Sequence, residues 1–485
     1  MPALLTRAVC LWLLPCVVPL SEAAPVSEDF SLDFGSPLTV SNTPPCRKSP
    51  DLHALFPVTH GDGGEVRDQV LLAFGGKGWN WTVEHHKKSG KASATKKVQM
   101  LGDMWSFDLE KQEWHQIQGE PSPAARWKTN GAPVSNEGQL ALFGGCTKTG
   151  IKGVQNDLWI FTPSHSGGSW RLVETEQKPP KRRGHVVVHS GTHLVIFGGK
   201  TERKGDKCMR DLWSLPLASI SEGSSSVPTW TQGASFPSGC RWGGTGDLMV
   251  APTGEQYLGM FGGRHLAEGA EEHTKKKAAY TYYNDLWLYE FAKDRWFQAD
   301  STGEKPPARD HHGAATLSGQ LFVYGGRQSE DRKAKAVLAD IWSYSLETRS
   351  WTQHIPAGKS PSARFMPGVA AVRYHGVETM AVFAGETLPG STKRTTLNDV
   401  WVFDPAEATW TELFPQTCDL IPMDLLGPSS HEEFMRDLSR TGGAIAAAMA
   451  IMLVAKFAMA SRRSAYALEV PETSSDCQDL TYRLL

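Results

Sequence analysis

Residues 322–351 read FVYGGRQSEDRKAKAVLADIWSYSLETRSW, and this stretch contains the pattern that decides the fold. An apolar strand ends in the two glycines of FVYGG (322–326), Asp-Ile-Trp follows at 340–342, and Trp351 closes the unit. The diglycine permits the positive φ of a sharp turn from one strand into the next. The tryptophans are large enough to fill the gap between stacked sheets. The stretch therefore predicts consecutive antiparallel strands whose tryptophans pack against a neighbouring sheet.

The same pattern occurs six times, which identifies it as a repeat. The strands that end in small residues are LLAFGG (71–76), ALFGG (141–145), VIFGG (195–199), GMFGG (259–263), FVYGG (322–326) and VFAG (382–385). The Asp-apolar-Trp segments lie at 103–105, 157–159, 211–213, 285–287, 340–342 and 399–401. The closing tryptophans are Trp114, Trp170, Trp230, Trp296, Trp351 and Trp410.

A further strand precedes each diglycine strand in units two to six, and it begins near an arginine. These arginines are Arg126, Arg183, Arg241, Arg309 and Arg364. Each repeat therefore holds four strands, which are named a to d from the centre outward. A four-stranded sheet of this size does not bury both faces alone, so successive sheets are expected to stack around an axis. The 47 Gly and 17 Trp of this 485-residue chain agree with many tight turns between aromatic-packed strands.

This pattern resembles the signature of the kelch-repeat family over residues 49–416. The resemblance implies an all-β fold, a six-bladed kelch β-propeller. The first unit departs from the pattern, because residues 51–57 (DLHALFP) precede LLAFGG without an arginine at the expected place. The innermost strand of that unit and the closure of the ring are therefore the least specified parts of the fold.

Both ends of the chain predict a membrane protein. Residues 1–23 read as a signal peptide, because Arg7 precedes a short apolar run that ends in small residues. Residues 442–460 form a second apolar run, which is long enough to cross a bilayer as a helix. Arg462 and Arg463 follow it and place that flank in the cytosol. The chain is therefore predicted to be a single-pass type I protein with one C-terminal transmembrane helix.

These features divide the chain into six segments. They are a signal peptide (1–23), an N-terminal leader (24–48), the six-repeat propeller (49–416), a juxtamembrane stem (417–441), the transmembrane helix (442–460) and a cytoplasmic tail (461–485).

Five cysteines lie in the part predicted to be luminal, where disulfides are permitted. They are Cys46, Cys146, Cys208, Cys240 and Cys418. An odd number leaves at least one thiol free or paired elsewhere. Cys46 and Cys418 bracket the repeats, and since the ends of a closed ring lie close together, we predict a disulfide between them. If the other three contain a pair, Cys208–Cys240 is the preferred one, because both residues lie in loops on one face.

The loops between strands b and c predict one strongly basic face. They span residues 77–102, 146–156, 200–210, 264–284, 327–339 and 386–398. They contain 23 Lys and Arg against 9 Asp and Glu, whereas the whole chain carries a formal net charge of −2. That near-neutral total argues against a globally basic nucleic-acid-binding protein.

The arginines that begin strand a are expected to ring the channel mouth on this basic face, with aromatic or imidazole side chains beside them. An arginine fork matches a carboxylate, phosphate or sulfate, and an indole offers a stacking plane. The predicted ligand-binding residues are Arg126, Arg183, Arg241, Arg309, Arg364, Trp127, Trp242 and His311. The alternative is that the arginines satisfy loop carbonyls and tie the blades together. In kelch proteins that bind partners, this face is commonly the recognition surface, and the resemblance implies the same here.

No catalytic, metal-binding or cofactor-binding motif emerges from the sequence. Copper oxidases of kelch-like architecture need two Tyr, two His and a Cys, and the Tyr374-His375 pair falls in a hairpin turn without matching partners. The Glu, Asp and His triplet of the iron-dependent specifier proteins, a P-loop and a CxxC pair are also missing. His311-His312 has no evident third ligand. The chain is therefore predicted to be neither an enzyme nor a holder of a metal or cofactor.

The leading hypothesis is a membrane-anchored recognition propeller that binds a protein or an anionic glycan or peptide, at the cell surface or in the secretory and endosomal pathway. Two alternatives are a kelch-like oxidoreductase and a sorting receptor. Asn80-Trp81-Thr82 is the sole glycosylation sequon, which predicts a glycan on Asn80. The last four residues, 482–485 (YRLL), resemble the Tyr-x-x-apolar signal of clathrin adaptors, with Tyr482 and Leu485 as the side chains that are read.

Overall fold

The computed structural model describes the part of the chain that holds the repeats. The described residues are 44–55, 70–85, 92–134, 138–148, 153–164, 167–201, 208–221, 224, 227–266, 280–329, 336–388 and 394–418. Within these ranges no helix is long and apolar enough to cross a bilayer. The predicted signal peptide (1–23) and the predicted transmembrane and tail segments (442–460 and 461–485) lie outside the described residues.

The described elements are almost entirely β-strands. The first half of the chain contains β1 (Arg47–Lys48), β2 (Asp51–Leu55), β3 (Val70–His85), β4 (Ala92–Asp108), β5 (Glu113–Ile117), β6 (Asn130–Pro133), β7 (Leu140–Phe143), β8 (Leu158–Ser164), β9 (Gly167–Val173), β10 (Val186–His189), β11 (His193–Phe197), β12 (Leu212–Pro216) and β13 (Thr231–Gly233). The second half contains β14 (Thr245–Val250), β15 (Gln256–Phe261), β16 (Arg264–Leu266), β17 (Tyr280–Tyr282), β18 (Leu286–Glu290), β19 (Arg295–Gln298), β20 (Gly313–Leu317), β21 (Gln320–Tyr324), β22 (Ile341–Ser345), β23 (Ser350–His354), β24 (Gly368–Tyr374), β25 (Val377–Thr387), β26 (Thr395–Asp404) and β27 (Thr409–Phe414). Two single-turn 3₁₀ helices, Leu217–Ser219 and Phe291–Lys293, lie in turns.

The described strands fall into six four-stranded antiparallel groups, numbered here in chain order. They are β2–β5, β6–β9, β10–β13, β14, β15, β18 and β19, β20–β23, and β24–β27. In group 4, β16 and β17 form an additional hairpin between the second and third strands. The first strand of every group lines one central cavity, as in a β-propeller.

The closing tryptophan of each repeat packs against the aromatic residue before the diglycine of the preceding group, as the sequence predicts. The ring pairs and their centroid separations are Trp170–Phe74 5.3 Å, Trp230–Phe143 5.6 Å, Trp296–Phe197 4.7 Å, Trp351–Phe261 4.9 Å, Trp410–Tyr324 5.0 Å and Trp114–Phe383 4.8 Å. The last pair joins group 1 to group 6. One aromatic contact, repeated in register, therefore connects each group to its neighbour.

The junction between groups 6 and 1 is made by β1. Arg47 pairs with Leu397 of β26 on one side and with Gly78 of β3 on the other. A disulfide joins Cys46 to Cys418 at this junction, with the Cα atoms 5.6 Å apart. Because β1 lies within the residues assigned from sequence to a leader, the packed part of the chain begins before residue 49.

Candidate functional site at the channel mouth

The arginine that begins strand a belongs to the architecture of each repeat. These arginines are Arg47, Arg126, Arg182, Arg241, Arg309 and Arg364, and each forms a two-pronged ion pair with the aspartate of the Asp-apolar-Trp segment, respectively Asp103, Asp157, Asp211, Asp285, Asp340 and Asp399. The tryptophan two residues later donates its Nε1–H to the same aspartate, for example Trp342 to Asp340 at 2.8 Å. Arg309 also donates to the carbonyl of Gly325, the first residue of the diglycine, at 2.8 Å. The motif residues therefore form one network that joins strands a, b and c.

This network corrects the predicted pocket. Arg126, Arg241, Arg309 and Arg364 are buried, and their guanidinium groups point into the sheets rather than into the channel, because each is held by its aspartate. In unit three the architectural residue is Arg182, not Arg183. The alternative reading of these arginines, as ties within the blades, is the correct one.

The first repeat also has its arginine. Arg47 donates to the carbonyl of Gly75 at 2.8 Å and to both oxygens of Asp103. It stands 28 residues before that glycine, whereas Arg309 stands 16 residues before Gly325. The longer connection between β2 and β3 therefore moved it outside the window in which the sequence pattern places it.

The residue after each strand-a arginine pairs through its backbone with the residue after each diglycine. The pairs are Lys48–Lys77, Trp127–Cys146, Arg183–Lys200, Trp242–Arg264, Asp310–Arg327 and Phe365–Glu386. Both positions lie where loops d–a and b–c meet the innermost strands. These twelve residues are called the mouth ring, and they include six cationic and two acidic side chains.

The two acids of the mouth ring occupy groups 5 and 6. Asp310 forms an ion pair with Arg264, whose Nε lies 3.0 Å away, and accepts a hydrogen bond from the Nε of Arg327 at 2.9 Å. Burial alone would raise the pKa of Asp310, but His311, Arg264 and Arg327 hold it far below its ordinary value. Glu386 pairs with Lys48 and lies 3.6 Å from Arg394. Each cation named here on this side of the ring therefore already has a carboxylate partner.

The opposite side of the ring, in groups 2 to 4, combines cations with two indoles. The Nζ of Lys200 lies 3.9 Å from the centre of the Trp242 ring, and the Nζ of Lys77 lies 5.0 Å from that of Trp127. Arg183 is only 7% exposed, and its buried Nε has no hydrogen-bond acceptor among the described residues. Cys146 is buried, and its Sγ lies 3.4 Å from the carbonyl oxygen of Lys148. The Nε of Arg183 is therefore a buried donor that calls for an acceptor from outside the described residues.

A second layer of residues lies directly below the mouth ring. Each member of this layer comes two positions after a strand-a arginine. All six of these residues have positive φ: Ser49, Lys128, Gly184, Gly243, His311 and Met366. Lys128 reaches across the channel, and its Nζ lies 2.9 Å from the Nε2 of His311. It also lies 4.9 Å from the centre of the Trp127 ring and 4.8 Å from that of Trp242. The Lys128–His311 pair therefore lies between the mouth ring and the cavity.

The cavity has a volume of about 350 Å³ and is lined mostly by small residues of the innermost strands. Its polar side chains away from the mouth include Asp51, His53, His189 and Asp247. Burial raises the pKa of Asp247, whose two oxygens accept the N–H groups of Leu248 and Thr316. In the described part of the chain, no cluster of His, Cys, Asp and Glu has the geometry to hold a metal ion. The channel is therefore cationic at its mouth and carries acids below.

The other predicted residues fall in separate places. Trp127, Trp242 and His311 do lie at the mouth and on the cavity wall. A second disulfide joins Cys208 to Cys240. The backbone of Asn80 lies in β3, opposite Lys97 of β4, and the predicted sorting residues Tyr482 and Leu485 are outside the described residues. Tyr374 ends β24 at a hairpin turn with His375.

Sequence reasoning missed the residues that make the site most distinctive. Lys128 was not considered, and Lys200, Arg264 and Arg327 were counted only among the charges of the basic b–c loops, not as individual site residues. Their signal is positional, because each directly follows a repeated element, either the diglycine or the strand-a arginine and its neighbour. The informative positions are those that border the repeat motif and vary in residue type from one copy to the next.

Comparisons with known proteins agree with this architecture. Residues 68–267 and 237–425 match the model of the KLHDC2/KLHL20/DRC7 Kelch-repeats domain. The chain is 25% identical to human Kelch domain-containing protein 3 over 249 residues, which cover 51% of this chain and 59% of that protein. It is 24% identical to Acyl-CoA-binding domain-containing protein 4 of Arabidopsis thaliana over 59% of this chain and 39% of that protein. It is 28% identical to rat Multiple epidermal growth factor-like domains protein 8, over 55% of this chain and 9% of that protein. The matched region thus spans less than two thirds of each of these relatives.

Proposed function

Because the chain belongs to the kelch-repeat family, we propose that it is a six-bladed, non-enzymatic protein-binding propeller whose mouth ring takes an acidic peptide segment of its partner. The observation that carries the proposal is Arg183, a nearly buried guanidinium whose Nε has no acceptor among the described residues. Trp127 and Trp242 stand on either side of it in the ring order and supply apolar walls. A carboxylate is the acceptor that a guanidinium fork matches.

The distribution of charge explains why one side of the ring is favoured. In groups 5 and 6, Asp310 and Glu386 already form ion pairs with their cationic neighbours. An entering anion meets Arg183, whose Nε has no acceptor among the described residues. Because Arg183 is only 7% exposed, a charged hydrogen bond to it is stronger than one at the open surface. A peptide side chain is a better occupant than a broad polyanion, because the guanidinium of Arg183 is nearly buried and a flat surface does not reach it.

Fluorescence anisotropy with labelled peptides tests the proposal. A pool of peptides rich in Asp and Glu is compared with the same peptides in which Asn and Gln replace the acids. The acidic pool is expected to bind, and binding is expected to weaken as salt rises. Arg183→Gln should weaken it by about 1.5–3 kcal/mol, roughly 10- to 150-fold in Kd.

A matched control keeps that result specific. Arg295 is 58% exposed and lies beside a c–d turn, away from the mouth, paired with Glu290. Arg295→Gln removes the same charge and is expected to leave peptide binding unchanged. Equal losses in the two variants, or equal binding of the acidic and neutral pools, would contradict the proposal.

We further propose that the propeller is luminal or extracellular in a single-pass type I protein, as the apolar runs at 1–23 and 442–460 predict. A sorting receptor, read through Tyr482 and Leu485, is the variant of this proposal that the tail favours. Glycosylation of Asn80 tests the topology. In mammalian cells, wild type is expected to run larger than Asn80→Gln and to shift to the same size after glycosidase treatment. Identical migration of the two untreated forms would leave the luminal placement without support.

A further inference from the structure

Three buried residues form a hydrogen-bonded chain that the proposed peptide site does not use. Asp310 Oδ2 lies 2.5 Å from Nδ1 of His311, and Nε2 of His311 lies 2.9 Å from Nζ of Lys128. All three residues are less than a tenth exposed. The chain crosses the channel from group 5 to group 2, at the upper wall of the cavity.

The direction of these hydrogen bonds follows from the carboxylate. An ionised Asp310 can only accept, so Nδ1 of His311 carries the proton and Nε2 is left as an acceptor. Lys128 therefore donates one N–H to Nε2. Arg264 and Arg327 hold Asp310 in its ionised form and fix its orientation. His311 is thus a base positioned against the amine of Lys128.

The surroundings of Lys128 favour the neutral amine. Burial, followed by the positive charges of Arg183, Lys200, Arg264 and Arg327, lowers the pKa of Lys128 well below its ordinary value. A neutral amine keeps its lone pair and is a nucleophile, whereas an ammonium group is not. No carboxylate is within ion-pair distance of Lys128 among the described residues. The site differs in this respect from an ordinary buried lysine, which is paired with an acid.

The backbone also holds the pair in an unusual way. Lys128 and His311 both have φ of +53°, in the left-handed region. Two of the six equivalent positions are glycine, which adopts this conformation without cost. A non-glycine residue here is disfavoured, and such strain is typical of positions where a side chain has a role.

We propose that Lys128 is a reversible covalent capture site for a small aldehyde or ketone that carries an anionic group. The amine adds to the carbonyl carbon, and the C=O π electrons move to oxygen. His311 Nε2 accepts one proton from the nitrogen of the adduct and passes it to the alkoxide, which gives the carbinolamine hydroxyl. The second proton on the nitrogen follows the same route to that hydroxyl, which leaves as water as the C=N bond forms. No oxidant or reductant is needed, and hydrolysis reverses the step. Arg183 and Lys200 supply the positive field for the anionic group, and the cavity of about 350 Å³ admits a small molecule.

The test uses the purified full-length chain and pyridoxal 5′-phosphate, an aldehyde with a phosphate group. Sodium borohydride reduces any imine to a stable amine, and peptide mapping by mass spectrometry then locates it. The internal reference is Lys359, whose side chain is 71% exposed. Lys128 is expected to react about tenfold faster than Lys359, because its amine is neutral and has a base beside it. Labelling of Lys128 that is no faster than that of Lys359 would overturn the proposal.

Two further measurements separate chemistry from folding. His311→Asn tolerates the left-handed backbone and removes the imidazole, and it is expected to slow Lys128 labelling about 100-fold while Lys359 is unaffected. If that variant does not fold, the wild-type pH profile decides: between about pH 7 and pH 9 the Lys359 rate should rise about tenfold per unit, and the Lys128 rate should rise less steeply, because the pKa of its amine is lowered. A Lys128 rate that rises in parallel with Lys359 would contradict the proposal.

A third arm separates this inference from the proposed peptide site. Pyridoxal lacks the phosphate and is expected to label Lys128 more slowly than pyridoxal 5′-phosphate by about tenfold, while labelling Lys359 equally. Equal labelling rates of Lys128 by the two aldehydes would contradict the part of the proposal that requires an anionic group on the ligand. Failure of acidic peptides to bind would overturn the proposed function alone, since the labelling of Lys128 does not depend on it.

Discussion

Arg182 and Arg183 are neighbours in sequence, and the structure gives them opposite surroundings. Arg182 is fully buried, donates to both oxygens of Asp211 and to the carbonyl of Gly198, and ties three strands of group 3 together. Arg183 faces the channel mouth, pairs through its backbone with Lys200, and its Nε meets no acceptor in the described part of the chain. One residue completes the fold, and the next one leaves a donor available to a ligand.

The comparison shows how a repeat protein separates structure from recognition. A residue that recurs in every copy has the same structural role in each of them. Here that role is to join strand a to strands b and c. The adjacent position is held by the same backbone pairing in each group, but its side chain is Lys, Trp, Arg, Trp, Asp or Phe. The repeat therefore fixes the backbone of the mouth ring, while the residues that differ determine its chemistry.

The largest expected effect is the loss of stability on removing Arg182. Arg182→Gln leaves Asp211 without its partner and breaks the bond to Gly198, so the free energy of unfolding should fall by about 3–5 kcal/mol. Arg183→Gln removes one cation from a positive cluster and should change it by less than about 1 kcal/mol. Urea denaturation followed by tryptophan fluorescence measures both. Similar losses in the two variants would make Arg183 a structural residue as well.

The two disulfides sharpen the comparison between closure of the whole ring and a local loop. Cys46–Cys418 spans 372 residues, and Cys208–Cys240 spans 32. Because a longer loop loses more entropy on closure, replacing both members of the first pair by Ser should cost about 2–5 kcal/mol, and more than the same change in the second pair. Thermal unfolding of the two double variants provides the measurement. A larger loss from the Cys208 and Cys240 variant would contradict this ranking.

The smallest expected effect concerns two buried histidines, His185 and His312. Burial, the main cause, and the nearby arginine lower the pKa values of His185 and His312 to about 3. The unfolded chain binds protons below its ordinary histidine pKa of about 6.5 and the folded chain does not, so stability is full above that pH and falls as pH drops toward 3. Each histidine should cost at most about 2 kcal/mol at pH 5.

Substitution identifies the histidines responsible. A double variant with His185→Leu and His312→Leu should lose less stability between pH 7 and pH 5 than wild type, because neither site then favours proton uptake by the unfolded chain. Urea denaturation at the two pH values gives the comparison. An unchanged pH dependence would assign the acid sensitivity to other groups.

The fold was predictable because its signals are local and repeated. The diglycines turn the chain with positive φ at Gly144 and Gly145, and the closing tryptophans reach the neighbouring group as expected. The order of the strands therefore followed from the repeated motif, and the kelch family from the resemblance of that motif to its signature. The spacing of the motif did not identify Arg47, because the longer connection between β2 and β3 increases the number of residues between this arginine and its diglycine.

The site was predictable only in part. Trp127, Trp242 and His311 lie at the channel mouth, where the sequence placed them. The direction of the arginine side chains was not predictable, because it depends on partners far along the chain. Arg309 turns into the sheet because Asp340, 31 residues later, lies there. Likewise the pairing of Lys128 with His311 joins residues 183 positions apart, and it exists only because the ring places groups 2 and 5 across the channel. Sequence spacing contains no information about such opposed positions.

The insertion of β1 between β26 and β3 has a mechanical consequence. The chain leaves the described region at Cys418, whose disulfide ties it to Cys46, next to β1. Tension applied through the residues after 418 is therefore passed to a short strand that is hydrogen-bonded on both sides, at Leu397 and at Gly78. This tension loads groups 6 and 1 together in shear and does not peel the outermost strand β27 from its sheet. Because of the disulfide, an external force therefore enters the ring at the junction between groups 6 and 1.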